Sequence, residues 1–413
     1  MTPDGARIFA GRIVRTLGLG ALSLALPLLL AGRGLAPAAV GGVFTATLVE
    51  DAVITTAVTA LAPRWGRRRL LVLSALPMAL GGVALAAVRD TAWLLVAVVF
   101  AVVSVNGLEA GPFSPLEQAT LPDAVAPERL TRVFAWYNVA GYVPAALGAL
   151  AAGRWLQAAE SAGWAPESAL RAVVWAYVAA GVLLAVIYYG LRRDAPAPAA
   201  AVASPSSPRS WLGLHRSRGL VAQLAALQAM DAFGGGFVPQ SLLVYWFSLR
   251  FGAGPDVLGR LFFGTQILSA LSFLGAARLA ERIGLLRTMV STHLFSNLVL
   301  ASVPLMPSLA LAAAALLLRH LFAQMDVPTR QAYTMALVAP DERAPAAGLT
   351  TAARGIAMAL SPALTGLALA RAAFGAPFFL AGGIKAAYDL ALYARFRKVP
   401  LPVASVDSAA RPA

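Results

Sequence analysis

The sequence contains no cysteine, which excludes disulfides, thiolate metal sites and a cysteine nucleophile. Its three histidines, His215, His293 and His320, are far apart along the chain and indicate no metal cluster. The G-x-x-x-x-G-K-[ST] loop of one large class of ATPases is also missing. We therefore predict no metal and no cofactor.

Charged residues are scarce. They make up 13% of the chain, against 59% hydrophobic residues and a mean hydropathy of +0.73, whereas a soluble domain carries about 25% charged residues. The apolar residues come in blocks of roughly 20, the length that crosses about 30 Å of hydrocarbon. Twelve such blocks predict an all-α integral membrane protein with twelve transmembrane helices.

The net charge of +14 could indicate nucleic-acid binding, but the positions of the basic residues favour a membrane protein. Most of them fall near every second predicted loop, including Arg12, Arg15 and Arg330. By the positive-inside rule this pattern places both termini in the cytoplasm. The expected location is the plasma membrane or bacterial inner membrane, and the expected surroundings are the lipid bilayer, without nucleic acid.

Two sequence repeats predict that the protein is built twice. The segment 115–119 recurs within the stretch 319–343, where Pro328 and Gln331 correspond to Pro115 and Gln118, and the basic turn 59–70 recurs as 277–288. Repeats in the same order indicate duplicated halves. We predict six-helix bundles over residues 1–193 and 219–413, joined by a cytoplasmic linker over 194–218 that is rich in Ala, Pro and Ser.

Twelve spans, a long middle linker and a basic turn after spans 2 and 8 resemble the major facilitator superfamily. That family's turn reads G-x-x-x-D-R-x-G-R-R and helps to close the cytoplasmic gate. The resemblance assigns a gating role to the matching positions, which are Arg64, Gly66, Arg67, Glu281, Arg282 and Gly284. The first turn departs from the pattern, with Thr59 for Gly and Pro63 for Asp. The segments D-V-P-T-R-Q-A-Y (326–333) and G-P-F-S-P-L-E-Q-A (111–119) resemble a bacterial drug or metabolite efflux branch.

An ionisable group inside the bilayer costs at least about 2.5–3.5 kcal/mol, so it usually faces a polar cavity and has a partner. The candidates for substrate binding or proton coupling are Glu50, Asp51, Asp231, Arg319, His320 and Arg354. Glu109 and Asp326 lie nearer the cytoplasmic ends of spans 4 and 10, which favours a role in gating or loop anchoring.

Each candidate also has a purely structural interpretation. Glu50 and Asp51 repel each other at low dielectric, which favours proton binding by one of them; alternatively an arginine neutralises them. Asp231 could bind a proton or a cationic substrate, or it could be a salt-bridge partner or cap a helix break near Pro239. Arg319 could hold an anion or form an ion pair.

Two further predictions concern spans 10 and 12. His320 could relay protons, because histidine titrates near neutral pH. Lys385 and Asp389 are four residues apart on span 12, so we expect them to neutralise each other.

We predict a monomeric secondary transporter that works by alternating access and exports a small organic compound in exchange for protons. The alternative within this class is a proton-coupled or facilitative importer of a metabolite, including an anionic one held by Arg319 and Arg354. A membrane enzyme or sensor is disfavoured, because no converging nucleophile and base and no added soluble domain are evident.

Overall fold

The computed structural model describes residues 2–109, 111–124, 130–192, 214, 216–338 and 342–398. This part of the chain is almost entirely helical, as predicted. Its first seven helices are α1 (Pro3–Gly32), α2 (Pro37–Trp65), α3 (Arg67–Ala87), α4 (Thr91–Phe100), α5 (Phe113–Ala124), α6 (Leu130–Ser161) and α7 (Pro166–Tyr189). The next eight are α8 (Arg218–Gly236), α9 (Gln240–Phe251), α10 (Pro255–Ile283), α11 (Leu285–Ser302), α12 (Leu309–Ala323), α13 (Asp326–Leu337), α14 (Arg343–Ala370) and α15 (Ala376–Phe396).

Three spans are each made of two helices: α4 with α5, α8 with α9, and α12 with α13. Counted as single crossings, they give the twelve predicted spans within the described residues. By length and apolar composition alone, seven segments of that part of the chain qualify as membrane spans. Because the number of crossings is even, α1 begins and α15 ends on one side of the bundle, which we call the termini side. The other side is called the opposite side.

The predicted duplication is visible in the helix boundaries. The repeat that aligns the turn 59–70 with 277–288 also aligns both ends of α2 with those of α10, and the other repeat aligns both ends of α5 with those of α13. Gly66 and Gly284 each separate two helices by a single residue, and their φ angles of 82° and 86° match. This left-handed region is open to glycine at little cost. The two bundles therefore repeat one pattern of helices. Most of the predicted linker 194–218 lies outside the described residues.

Span 4 is interrupted earlier than the proline-containing segment 111–119, where the sequence predicts its break. The helix ends at Phe100, and the described residues 101–109 and 111–112 are irregular. They include a non-glycine residue, Val102, with φ 52°. Non-helical backbone is tolerated at membrane depth only where protein groups satisfy it. Here the buried Tyr177 hydroxyl lies 2.7 and 2.8 Å from the carbonyl oxygens of Ala101 and Val102.

The break predicted in span 7 is present at 237–239, between α8 and α9. Two hydroxyls of α14 replace the lost helical hydrogen bonds, because Ser361 donates to the Phe233 carbonyl and Thr365 donates to the Phe237 carbonyl. The break therefore depends on the close contact between α8 and α14.

Two boundaries that the apolar blocks predict, a start of span 1 at Ile13 and an end of span 10 near residue 328, were wrong. The basic lead before residue 13 is part of α1, and Arg12 and Arg15 are buried rather than exposed to the cytoplasm. The polar segment after residue 328 is not a loop, because α13 continues to Leu337. In both places charged side chains form ion pairs inside the bundle, so polar residues do not mark the end of the span.

The two halves contact each other closely on the opposite side. A Cβ atom at Gly41 of α2 would lie 2.3 Å from the Pro362 carbonyl oxygen of α14. Likewise, a Cβ atom at Gly153 of α6 would lie 2.5 Å from the Pro255 carbonyl oxygen of α10. Both contacts lie where α2 and α10 begin and α6 and α14 approach their ends. The bundle is therefore tightly closed on the side away from the termini.

Candidate functional site

Asp231 of α8 is the centre of a charged cluster in the second half. The residue is 2% exposed. Its Oδ1 lies 2.5 Å from Lys385 Nζ of α15, and its Oδ2 lies 2.9 Å from Arg354 Nη1 of α14 and 3.4 Å from Arg330 Nη1 of α13. Of the two roles weighed for Asp231, this geometry corresponds to the salt-bridge partner.

His293 of α11 extends the cluster. Its Nε2 lies 3.4 Å from Asp231 Oδ1, and its Nδ1 lies 2.8 Å from Asp389 Oδ1. Asn297 donates to the other oxygen of Asp389 at 3.0 Å. The prediction that Lys385 and Asp389 neutralise each other is wrong, because the tertiary fold brings Lys385 to Asp231 and Asp389 to His293.

Asp326 begins α13 at the break in span 10. Its carboxylate is buried and lies 2.7 Å from Arg330 Nη1, one helical turn later. Arg330 therefore bridges Asp326 and Asp231, so an arginine that we assigned to the cytoplasmic surface instead lies in the cluster.

Arg319 and His320 differ from the rest of the cluster. Arg319 is half-buried, and within the described residues it makes no ion pair; its Nη1 lies 3.3 Å from His320 Nε2, and its Nε has no hydrogen-bond partner. It interacts electrostatically with Asp231 and Asp326 from a longer distance. His320 Nδ1 lies 2.8 Å from the Leu316 carbonyl oxygen. Arg319 is thus a guanidinium without a carboxylate partner among the described residues.

The first half contains a second cluster, built from α1, α5 and the segment between α4 and α5. Arg15, which is fully buried, lies 2.8 Å from Glu117 and 3.2 Å from Glu109. Arg12 lies 2.8 Å from Glu109, and its guanidinium stacks 3.8 Å from the centre of the Tyr137 ring. The hydroxyls of Tyr137 and Tyr188 both donate to Glu117. Two arginines balance two glutamates in this cluster.

The two clusters occupy equivalent places with opposite charges. The alignment of α5 with α13 places Glu117 at the position of Arg330. Arg15 and Asp231 lie in the first helix of each half, at nearly equivalent positions. Each half therefore has an ion pair between its first span and the second helix of its fourth span, with the acid and the base exchanged.

Glu50 and Asp51 are separated by their surroundings. Asp51 accepts a hydrogen bond from the Gly111 amide at the end of the irregular segment of span 4. Glu50 is half-buried and makes no hydrogen bond or ion pair with a described residue. Neither carboxylate is neutralised by Arg319 or Arg354, whose contacts lie in the other half.

The residues assigned to gating lie at the turns on the termini side. Arg67 Nη1 lies 2.8 Å from the Ala119 carbonyl oxygen of α5. Arg64, Glu281 and Arg282 are exposed and form no ion pair within the described ranges. Glu109 is 48% exposed and contacts the buried arginines of α1. Of the predicted latch, Arg67 thus ties its turn to α5, while Arg64, Glu281 and Arg282 take no part in a described ion pair; on the opposite side, by contrast, the halves are in close contact.

Sequence reasoning missed five members of the clusters: Arg12, Arg15, Glu117, His293 and Arg330. Arg12 and Arg15 were assigned to the surface because they precede the most apolar part of α1. One signal was available for Glu117 and Arg330, since both occupy corresponding positions of the repeated segment. His293 carried no such signal, because α11 forms span 9, which the resemblance to the major facilitator superfamily places outside the cavity.

Taken together, the described site has no converging nucleophile and base, and its charged groups form networks between helices. Arg354, with its side chain 30% exposed, and the partly exposed Glu109 give the networks access to solvent. At the boundary between the halves, Tyr142 of α6 and Phe273 of α10 pack edge to face at 5.3 Å. Tyr142 interacts electrostatically with Glu109 on one side and with Asp326 on the other. Titratable side chains in such networks can bind or release protons, and the basic ones can attract an anion.

The sequence matches the profile of the Major Facilitator Superfamily over residues 8–318. It is 23% identical to an uncharacterised membrane protein of Saccharomyces cerevisiae, YJR124C, over 94% of this chain and 93% of that protein. The fold is similar to that of the nucleoside transporter NupG (TM-score 0.71, 13% identity, covering 96% of this chain and 100% of NupG). It is equally similar to that of a D-xylose–proton symporter (TM-score 0.71, 13% identity, covering 97% and 98%). The chain belongs to the Major Facilitator Superfamily and is a membrane transporter rather than an enzyme.

Proposed function

We propose that this transporter moves a small organic solute by alternating access, exporting it in exchange for protons. On this proposal the protein is a monomer in the plasma or inner membrane, and its termini side faces the cytoplasm. The observation that carries the proposal is the charged network around Asp231, which joins titratable groups to the solvent-accessible Arg354. An ion pair of this kind changes strength when either a proton or a solute binds, and the two binding events are thereby coupled.

The closed opposite side supports alternating access. The glycine contacts at Gly41 and Gly153 bring the halves together there, while the exposed Glu281 and Arg282 form no described latch on the termini side. A conformation closed on one side is one of the two states that such a transporter alternates between, with the solute bound near the midplane. On the proposed orientation, this state receives its solute from the cytoplasm.

Glu50 is proposed as a proton-binding residue. It is a half-buried carboxyl group without a described cationic partner, next to the carboxyl group of Asp51. Two neighbouring acids at low dielectric favour proton binding by one of them. Since Asp51 is held by the Gly111 amide, Glu50 is the one left to exchange protons.

A specific observation favours a second function, the uptake of an anionic metabolite. Arg319 has no described carboxylate partner, and the partly exposed Arg354 shares Asp231 with Lys385 and Arg330. Because of this excess of basic side chains, the second half suits a carboxylate or phosphate better than a cation. The importer therefore remains the second proposal. It differs from the first because its solute and protons move in the same direction.

Flux measurements in proteoliposomes of known orientation distinguish the two functions. A panel of cationic drugs and anionic metabolites would be tested under an imposed pH gradient, with a pH-sensitive dye inside the vesicles. Exchange requires solute and protons to move in opposite directions, whereas coupled uptake requires the same direction. Solute flux with no proton movement would refute proton coupling in both forms.

Two variants test the proposed proton sites. We expect Glu50→Gln and Asp231→Asn to lose solute-dependent proton flux, because each removes a titratable or charge-organising carboxylate. Glu160→Gln is the matched control, since Glu160 is exposed near the end of α6 and lies outside the charged network. If both variants transport protons as the control does, these acids are structural.

A further inference from the structure

We propose that His293, held between Asp231 and Asp389, is a proton-binding site of the transporter and is coupled through Asp231 to the solvent-accessible Arg354. This inference rests on the proton coupling of the proposed function, in either direction of transport. It places a coupling residue on α11, outside the spans from which the sequence candidates came.

The geometry around His293 suits an imidazole that binds a proton. Its Nδ1 lies 2.8 Å from Asp389 Oδ1 and its Nε2 lies 3.4 Å from Asp231 Oδ1. A neutral imidazole has one N–H group, so one ring nitrogen then directs a lone pair at a carboxylate. Binding one proton from water creates the second N–H group, and an imidazolium can donate to both carboxylates. In this step an O–H bond of a hydronium ion breaks, one N–H bond forms and a water molecule is released, so the charge of the cluster rises by one.

The surroundings exclude water and fix the ring. His293 and Asn297 are buried on α11, and Asp389 is fully buried on α15. The Tyr388 ring packs edge to face against the imidazole at 5.8 Å. A buried charge interacts more strongly with its neighbours than an exposed one. Gain or loss of this proton therefore has a large effect on Asp231.

Other charged groups reach His293 only through the two carboxylates. Lys385 of α15, Arg330 of α13 and Arg354 of α14 all contact Asp231. Within the described residues, no acid or base of α10 or α12 contacts the imidazole directly. Asp231 is thus the group for which a protonated His293 and the three basic side chains compete.

This competition provides the coupling. When His293 is protonated, Asp231 has an additional positive partner, and its hold on Arg354 weakens. An anionic solute that binds Arg354 and a proton that binds His293 then favour each other, whereas a cationic solute and the proton oppose each other. The same site therefore accounts for symport of an anion or exchange against a cation, with the sign set by the solute.

Histidine NMR tests the site directly, with the proton itself as the probe. The double variant His215→Gln/His320→Gln leaves His293 as the single imidazole, so its ring nitrogens can be followed in the full-length protein. We expect one change of protonation between about pH 5 and pH 9, and a shift of its midpoint when Asp389→Asn is added. A ring that stays in one charge state over this range would overturn the proposal.

A conformational measurement tests the coupling without a known solute. A cysteine in place of Thr56, an exposed residue of α2, reports whether the termini side is open through its rate of alkylation. We expect this rate to depend on pH in the parent protein and in His215→Gln, and to lose that dependence in His293→Gln. His215 is the matched control, because it belongs to the predicted linker 194–218 rather than to a span.

The outcomes separate this inference from the proposed function. Proton-coupled flux that persists in a folded His293→Gln protein would overturn the inference alone. A wild-type solute flux without proton movement would overturn the proposed coupling, whatever the NMR titration shows. A His293→Gln protein that still carries out solute exchange but has lost proton-driven accumulation is the expected result.

Discussion

Adding one methyl group at Gly41 should open the side of the protein that is closed in this structure. In Gly41→Ala, the new Cβ atom would lie 2.3 Å from the Pro362 carbonyl oxygen and 2.8 Å from Gly366 Cα. Favourable contacts of this kind need about 3.5 Å, so α2 and α14 must separate by roughly 1 Å. Both neighbours are backbone atoms, and neither can rotate away as a side chain would.

If the protein works by the proposed alternating access, the cost falls mainly on the closed conformation, because opening of this side would separate α2 from α14. Overpacking of a well-packed interface typically costs about 1–3 kcal/mol. Such an energy changes an equilibrium by about 5- to 150-fold. We therefore expect Gly41→Ala to raise the population open to the opposite side by a factor in this range. Gly42→Ala is the matched control, since a Cβ atom at Gly42 meets nothing within 4 Å.

The absence of cysteine allows this shift to be measured with single introduced cysteines. Leu369 is 4% exposed and follows Gly366 by three residues, which places it on the same face of α14. Thr45 of α2 contacts α14, and Thr56 lies eleven residues, or about three turns, later on α2. Thr56 therefore lies on the same face of α2 but nearer the termini side. In Gly41→Ala we expect faster alkylation of Leu369→Cys and slower alkylation of Thr56→Cys.

The two reporters together distinguish a change of conformation from loss of the fold. Unfolding would speed alkylation at both positions, whereas alternating access moves them in opposite directions. Equal rates in Gly41→Ala and Gly42→Ala at both positions would refute the argument that this contact holds the opposite side closed.

Three further predictions concern stability and are checked by thermal unfolding in detergent. Glu117→Gln should lower the unfolding free energy by about 3–5 kcal/mol, because it leaves buried arginines without a partner. Glu281→Gln, at an exposed position, should change the unfolding free energy little. Equal unfolding free energies for the two variants would contradict the buried pairing. Gly284→Ala should lower the unfolding free energy by about 1–2 kcal/mol, because φ is 86° there. Its control is Gly348→Ala, which lies inside α14 in open space and should not destabilise the protein. The reverse order of the two stabilities would show that the turn tolerates a side chain. Tyr177→Phe should lower the unfolding free energy by about 1–3 kcal/mol, because it removes the hydroxyl that contacts two buried carbonyl oxygens of the span 4 break. An unchanged melting temperature would mean that other groups satisfy these carbonyls.

Much of the architecture could be predicted from the sequence, because the bilayer imposes strong local requirements. A span must be apolar over a length fixed by the membrane, so the apolar blocks indicated twelve crossings, although not all of their ends. Duplication was visible because both copies kept turn residues such as Gly66 and Gly284, whose backbone conformation restricts which residues fit. The break in span 7 was predictable for a similar reason, since Pro239 cannot donate a helical hydrogen bond.

The candidate site was predicted only in part, because the partners of its charged residues are distant in sequence. Hydropathy showed that Asp231 and Arg354 are unusual inside spans, but it could not pair them across 123 residues. It placed Arg12 and Arg15 at a surface, although burial of these residues becomes favourable once Glu109 and Glu117 lie beside them. Local spacing paired Lys385 with Asp389, whereas packing of α15 against α8 and α11 gave each a different partner.

The sequence by itself determined that this is a twelve-span membrane protein built from two related halves, because those properties depend on apolar length and on repeated local motifs. Only the tertiary structure decided which acid meets which base, where span 4 loses its helix, and that His293 lies between two carboxylates. Such pairings depend on the relative positions of helices whose residues are up to 154 apart in the chain. Electrostatic attraction acts over a few ångströms in space and leaves little trace in residue spacing.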